Sequence, residues 1–407
     1  MGIEGRSICI IGANYSPEVS GIAPYTTAMA RHLASLGASV SVITGVPHYP
    51  EWAARRAYER GILWREDLDG VRVVRHRHLI PRSQGLAGRG AFETSFLAVS
   101  AASAIRSKAD AVIAIIPALS AGALGTLAAA HRPARLGIVV QDLVGNAASE
   151  SGTTSSGVGR VIRGAEYGLL RRADLVGVVT GRFGEIAVEN GVKPDRVVSL
   201  PNFTHIEASS LSRDEARRRL GWPENRFLVL HTGNIGRKQG LETAIEAARL
   251  AATRRPDVDL FFLGDGNQRS HLEQVAAGLP NVRFLDAIDS ESYPHALAAA
   301  DVLLLNELST VREMSMPSKL TSYFAAGRPV VAGVASGGIT EQVASASLSC
   351  LVVAAGDAEA LLGAVERLAD DKLLAERLAV NAREYAAAEM SESAALQRYA
   401  DFAQRLL

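Results

Sequence analysis

Two cysteines among 407 residues, Cys9 and Cys350, leave no disulfide framework to read. Both lie in apolar segments far apart in the chain, so buried reduced thiols and a cytoplasmic protein are expected. Lysine is scarce, five of the 43 cations, while alanine is abundant. That pattern is a coding bias, and it removes weight from the arginine count taken alone. Formal net charge is zero, with 43 cations against 43 acids, and nucleic acid is not expected among the partners. No secretion signal is read at the start, because MGIEGRSICIIG is too short and carries an acid before its apolar run. One uncharged window, AVIAIIPALSAGALGTLAAA (111–130), has membrane-spanning length. Pro117 and Gly122 interrupt it, so a buried strand, a turn and a short helix are expected there instead. No solenoid-type repeat is visible. No His, Asp or Glu cluster has the spacing of a metal site, so neither metal nor cofactor is expected. An Asn-x-Thr triplet at 202–204 has no meaning without secretion.

What is present is the composition of a globular chain, 48% hydrophobic and 21% charged, long enough for two or three domains. The charge is uneven. Residues 1–205 hold 22 Lys+Arg against 16 Asp+Glu, and the remainder 21 against 27. A basic first half facing an anionic lipid surface or a phosphorylated acceptor is one reading, and a solvated surface is the other. Strand-like runs alternate with helical ones: 7–12, 39–45, 71–76, 111–116, 136–142, 175–180 and 197–202. The rhythm restarts at 227–233, 259–266, 282–286, 301–305, 329–333 and 348–353. Two doubly wound parallel sheets follow, in an α/β fold. The boundary is placed in the polar, turn-rich stretch 201–226, giving an N-terminal domain over 1–205 and a second over 206–385. Residues 373–407 read as helical throughout, with 386–407 packing back on the first domain. The small polar stretch 145–160 follows a strand and is read as a lid or a surface loop.

The stretch TGNIGRKQG (232–240) joins a buried strand to a helix through three glycines. Bare backbone N–H groups, a helix N-terminus and the cations Arg237 and Lys238 together suit an anion. In order along the chain, YSPEVSGIAPYTTAMARHL (15–33), GNIGRKQGLETAI (233–245), FLGDGNQRSHLE (262–273), DAIDSESYPHALAAADVLLL (286–305), MPSKLTSYFAAGRPVVAG (316–333) and GGITEQV (337–343) resemble retaining glycosyltransferases of family 4. The resemblance covers essentially the whole chain. It implies the GT-B fold, two Rossmann-like domains facing a central cleft. GVPHYPEW (45–52) together with MPSK is most similar to the branch that builds bacterial exopolysaccharides such as colanic acid.

The resemblance implies that the second domain holds the diphosphate of a UDP- or GDP-linked sugar. Donor contacts are then expected from Gly21, Gly233, Asn234, Gly236, Arg237, Lys238, Gly264, Gly266, Pro317, Ser318, Lys319, Ser322 and Glu341. Asp142, Lys238 and Lys319 are the expected catalytic residues, and His48, Tyr49, Trp52 and Asp142 the expected acceptor contacts. Bland readings stand beside these. Gly21 and Asp265 suit turns, Ser318 and Glu341 suit helix caps, and His48, Tyr49 and Trp52 suit ordinary aromatic packing.

The chain also departs from the family pattern. The usual Arg and Lys of the phosphate loop are Asn234 and Gln239, with Arg237 and Lys238 between them. The usual Glu-x7-Glu pair is Met314 and Ser322, with Glu313 one residue early. The common His-Asp at the end of a strand is Gln141-Asp142, and Val144, Gly145 and Asn146 follow it. The resemblance implies transfer to a glycan or lipid-linked acceptor with retention, the first domain touching the inner membrane face through its basic residues. Two alternatives stay open: a sugar-nucleotide epimerase on the same fold, and a binding protein that kept the fold without the chemistry.

Overall fold

The computed structural model describes residues 2–18, 21–49, 52–81, 85–131, 133–143, 145, 156–204, 206–312 and 319–407. The chain divides into two compact units. One runs from the N-terminus to Asn202 and includes Glu392–Leu407, and the other comprises Phe203–Arg312 and the chain from Lys319 to Ser391.

The first unit is built on β1 (Ser7–Ile11), β2 (Ser39–Gly45), β3 (Leu63–Leu68), β4 (Val71–His76), β5 (Ala111–Ile116), β6 (Arg135–Val140), β7 (Leu175–Val178) and β8 (Val197–Ser199). Their order in the sheet is β3-β4-β2-β1-β5-β6-β7-β8. All pairings are parallel except β3 with β4. β5 is buried at every position, as an interior parallel strand covered on both faces should be. The window 111–130 is thus a strand followed by the helix Leu119–His131. No helix among the described residues is long and apolar enough to cross a membrane. The last helix, Glu392–Leu406, lies on this sheet. Gly137 in β6 makes room for it, since a Cβ there would stand 2.7 Å from Phe402 and Leu406.

The second unit carries β9 (Phe227–Thr232), β10 (Val258–Leu263), β11 (Val282–Leu285), β12 (Val302–Asn306), β13 (Val330–Val334) and β14 (Cys350–Ala354). Their order, β11-β10-β9-β12-β13-β14, is wholly parallel and reverses direction between β9 and β12. Alternate residues of β9 enter different cores. Leu228 and Leu230 pack with Phe261, Leu303 and Tyr323, and Val229 packs with Leu260, Phe262 and Leu304. Cys9 and Cys350 are free thiols on β1 and β14.

Three expectations change. β3 was not anticipated: Leu63–Leu68 carries three consecutive charged residues, Arg65, Glu66 and Asp67, on a half-exposed edge, so no apolar run marks it. The C-terminal segment is not one helix, because Lys372–Glu389 ends before Met390 and a second helix starts at Glu392. In the polar stretch 145–160, residues 146–155 lie outside the described chain, and from Ser156 it is helix.

The N-terminal edge of β9 and β12 is pinned by a buried ion pair. Arg217 is fully buried and donates from Nε to Ala299 O, from one guanidinium nitrogen to Glu224 O and Arg226 O, and from the other to Asp301 Oδ2 at 2.6 Å. Asp301 also accepts the Leu228 amide and Arg213. Arg217→Met strips one partner from each of these buried acceptors. It should cost about 3–5 kcal/mol in urea denaturation followed by tryptophan fluorescence.

Candidate functional site

In a doubly wound sheet the strand ends at the point of reversal leave a crevice. In the second unit that point lies between β9 and β12, where only Val302 with Val229 and Leu303 with Leu230 are paired. β9 keeps six paired positions with β10, so β12 parts from β9 beyond Leu303. The polar groups released there find side chains. Tyr323 Oη takes the Thr232 amide at 3.0 Å, and His231 Nδ1 lies 3.2 Å from Leu304 O.

Two glycine turns interlock at this edge. Gly233 donates to Leu263 O, Ile235 to Asp265 O and Gln268 to Ile235 O. Gly264, at φ +142°, leaves no room for a Cβ, which would stand 2.1 Å from Gly233 O; one on Gly266 would stand 2.3 Å from Ile235 O. Backbone therefore lies on backbone, which only glycine permits. Gly236 donates to Gln239 Oε1, so Gln239 stabilises the turn from within. Arg237 and Lys238 are exposed. They sit on a short 3-10 turn, Arg237–Gln239, that separates the glycines from the helix Glu242–Arg254. The expected direct step from loop into α-helix is thus interrupted. Asn306 Nδ2 holds Gln239 O and Gly240 O, and the Leu308 amide holds Lys238 O, which ties the cationic turn to the end of β12.

Lys319 opens the helix Lys319–Ala326. Its Nζ lies 3.1 Å from His231 Nε2, and its Cε 4.0 Å from where a Cβ on Gly233 would be. Burial pulls the Lys319 ammonium down to about 8, against an opposing pull from Glu307. Glu307 follows β12 directly and is 9% exposed. Burial pushes its carboxyl up, opposed by a hydrogen bond from Thr340 and by Lys319 and Lys238. His231 and Glu307 were not singled out from the sequence. Both follow apolar runs, and nothing periodic marks His231 as the partner of Lys319, 88 residues away.

Ser322 is 6% exposed and hydrogen-bonded to Tyr293, whose hydroxyl also meets Thr232 Oγ1 at 2.9 Å. Glu341 lies in the first turn of Ile339–Ala346 and accepts the Gly337 amide at 2.5 Å, so it is a cap. Met314, Pro317, Ser318 and the neighbouring Glu313 lie outside the described residues. The structure thus gathers Gly233, Asn234, Gly236, Arg237, Lys238, Gly264, Gly266 and Lys319 around one strand edge.

In the first unit, β1 and β5 flank the reversal. Gly21 has φ +65° and rests on the Tyr49 ring. Glu18, buried, accepts the His48 and Tyr49 amides, both at 2.8 Å, and the Asn14 amide at 2.9 Å. This carboxylate organises both loops and was missed, since it reads as an ordinary turn acid. His48 is 2% exposed, bonded to Val46 O, and packed on His78, Trp52 and Phe92. His48 thus sits in the aromatic packing cluster that was the alternative to acceptor contact. Tyr49 and Trp52 are half-buried and keep some surface. Asp142 lies just past β6, beside Gln141, which accepts from Asn202 at 2.9 Å.

The family model for glycosyl transferases group 1 matches residues 212–385, and that for the glycosyl transferase 4-like domain matches 20–202. The chain is 32% identical over 337 residues to the putative colanic acid biosynthesis glycosyl transferase WcaI of Escherichia coli, covering 79% of this chain and 81% of the relative. Among solved structures it is similar to a sucrose-phosphate synthase from Thermosynechococcus elongatus, at TM-score 0.73 and 19% identity, covering 98% of this chain and 99% of the other. It is also similar to Anabaena Alr3699/HepE in complex with UDP-glucose, at TM-score 0.70 and 18% identity, covering 98% and 100%.

Ser322 stands where the resemblance places a carboxylate, and its hydroxyl is hydrogen-bonded to Tyr293. Ser322→Glu places a desolvated charge among hydroxyls. It should lower the melting temperature and weaken binding of UDP and GDP. Tighter binding at an unchanged melting temperature would show an open carboxylate site instead.

Proposed function

We propose, from the premise that this chain belongs to the family 4 glycosyltransferases of GT-B fold, that it moves a sugar from a nucleoside-diphosphate donor to a glycan or lipid-linked acceptor with retention at the anomeric carbon. The observation that carries the donor side is the convergence of Lys319, Lys238 and the Gly233 turn at the β9–β12 edge. As the bond from anomeric carbon to phosphate oxygen breaks, negative charge grows on the diphosphate. Fixed cations and backbone N–H groups aimed at it favour that state over the bound donor. Arg237, Lys238 and Lys319 supply the charge in this reading, and no metal or cofactor takes part.

The acceptor hydroxyl attacks the same face that the phosphate leaves. Its oxygen bonds to the anomeric carbon, and its proton passes to the departing phosphate oxygen. That route asks for phosphate holders more than for an acid–base pair. Asp142, with Tyr49 and Trp52, is assigned to the acceptor. The name of the Escherichia coli relative supports a polysaccharide acceptor. The basic first unit supports work at the inner membrane face, in the cytoplasm. A second reading, a sugar-nucleotide binder without transfer, is favoured by the hydrogen-bonded Ser322–Tyr293 pair; an epimerase would need acid–base carboxylates at the reacting carbon, and the departure from the family's Glu pair argues against it. Incubation with a panel of nucleotide sugars separates them: transfer supports the proposal, and binding or epimerisation alone refutes it.

Replacing Arg237 and Lys238 together by Ala should weaken nucleoside-diphosphate binding about a hundredfold in calorimetry, because charge-assisted contacts are the strong ones. Unchanged affinity would remove these residues from the donor site. Once a donor is known, transfer should survive excess EDTA, and an absolute need for Mg²⁺ or Mn²⁺ would contradict the assignment of the charge to side chains.

A further inference from the structure

His231 is fully buried one residue before the end of β9, after four apolar residues, Phe227 to Leu230. A buried imidazole requires partners for its nitrogens. Leu304 O can only accept, so Nδ1 carries the proton, and Nε2 turns its lone pair to the Lys319 ammonium. The carbonyl of Asn234 also acts on the ring, which places it against the glycine turn. We propose that His231 is a positioning residue: it fixes the Lys319 ammonium at the mouth of the Gly233 turn, and through it the hold on the leaving diphosphate. This rests on the reading of Lys319 as a diphosphate contact.

The surroundings give the arrangement a measurable consequence. Among the described residues, few groups act on Lys319 and its partner ring. Glu307 pulls Lys319 toward the charged form, Lys238 acts on Glu307 in turn, and Tyr323 shares the Leu304 carbonyl with His231. Burial alone drives the ammonium toward neutrality, and it titrates at about 8. His231 stays neutral because burial and Lys319 both disfavour its charged form. A diphosphate binds the charged form of Lys319 better. Affinity should therefore hold steady up to about pH 8 and fall above it, approaching tenfold per pH unit.

His231→Leu removes the acceptor from a buried ammonium. The break in affinity should move acid by about one pH unit, and affinity at pH 7.5 should fall several-fold. His231→Gln offers an amide oxygen in place of Nε2 and should keep the break near that of the wild type. Calorimetry with UDP and GDP on these variants and on Lys319→Gln, across pH 6.5–9.5, reads all of this. An unmoved break in His231→Leu, while Lys319→Gln binds weakly, overturns the inference and leaves the diphosphate reading standing. Unchanged affinity in Lys319→Gln removes both. Nitrogen-15 NMR of histidine-labelled wild type gives an answer that does not depend on a variant folding. The proton should sit on Nδ1, and the Nε2 signal should shift as Lys319 loses its charge. A proton on Nε2, or a signal flat through that range, overturns the proposal.

Discussion

β12 pairs with β9 at two positions and then leaves it. That parting is the constraint on which the donor half depends, because each backbone group it frees inside the unit must be answered. Tyr323 answers twice, reaching the Thr232 amide and the Leu304 carbonyl. His231 answers once, and its other nitrogen is then free to meet Lys319. Asn306, at the end of β12, ties down the turn that carries Arg237 and Lys238. A strand order that reverses thus converts a backbone problem into a set of fixed side chains at one edge.

Fixed cations stabilise a developing charge without reorganising, and that is where electrostatic catalysis gains over water. The glycines serve the same end. Gly264 and Gly266 let one turn lie directly on the backbone of the other. Arg237 and Lys238 project from a turn whose carbonyls are held and whose neighbours cannot slide. In the first unit Glu18 has the comparable task, gathering the amides of His48 and Tyr49 under the Gly21 turn. There the tie is one buried carboxylate, and removing it would release two loops together.

The parallel sheets were legible because a strand covered on both faces must be apolar along its length. The glycine turns were legible because few other residues tolerate their spacing. β3 escaped because an edge strand half in solvent tolerates charge on both faces, here Arg65, Glu66 and Asp67 in succession. His231, Glu307 and Glu18 escaped for a different reason. A buried polar residue is justified by a partner far away in sequence, and local pattern contains no trace of that partner. His48 was legible as an aromatic among aromatics, and only its burial decides that it packs.

The departures from the family pattern fall into place on the same physics. A carboxylate at position 322 would need a diol or a cation to face it, and here it would meet Tyr293 and Thr232. The hydroxyl cluster is neutral and internally hydrogen-bonded, and the Ser322→Glu variant decides between a repacked corner and an open one. Negative charge has not vanished from the edge. Glu307 sits buried near Lys319 and Lys238 and pulls Lys319 toward the charged form against the larger effect of burial. In the proposed donor reading, a diphosphate arriving there competes with Glu307 for the same ammonium. The site is thus poised between an internal counter-ion and an external one.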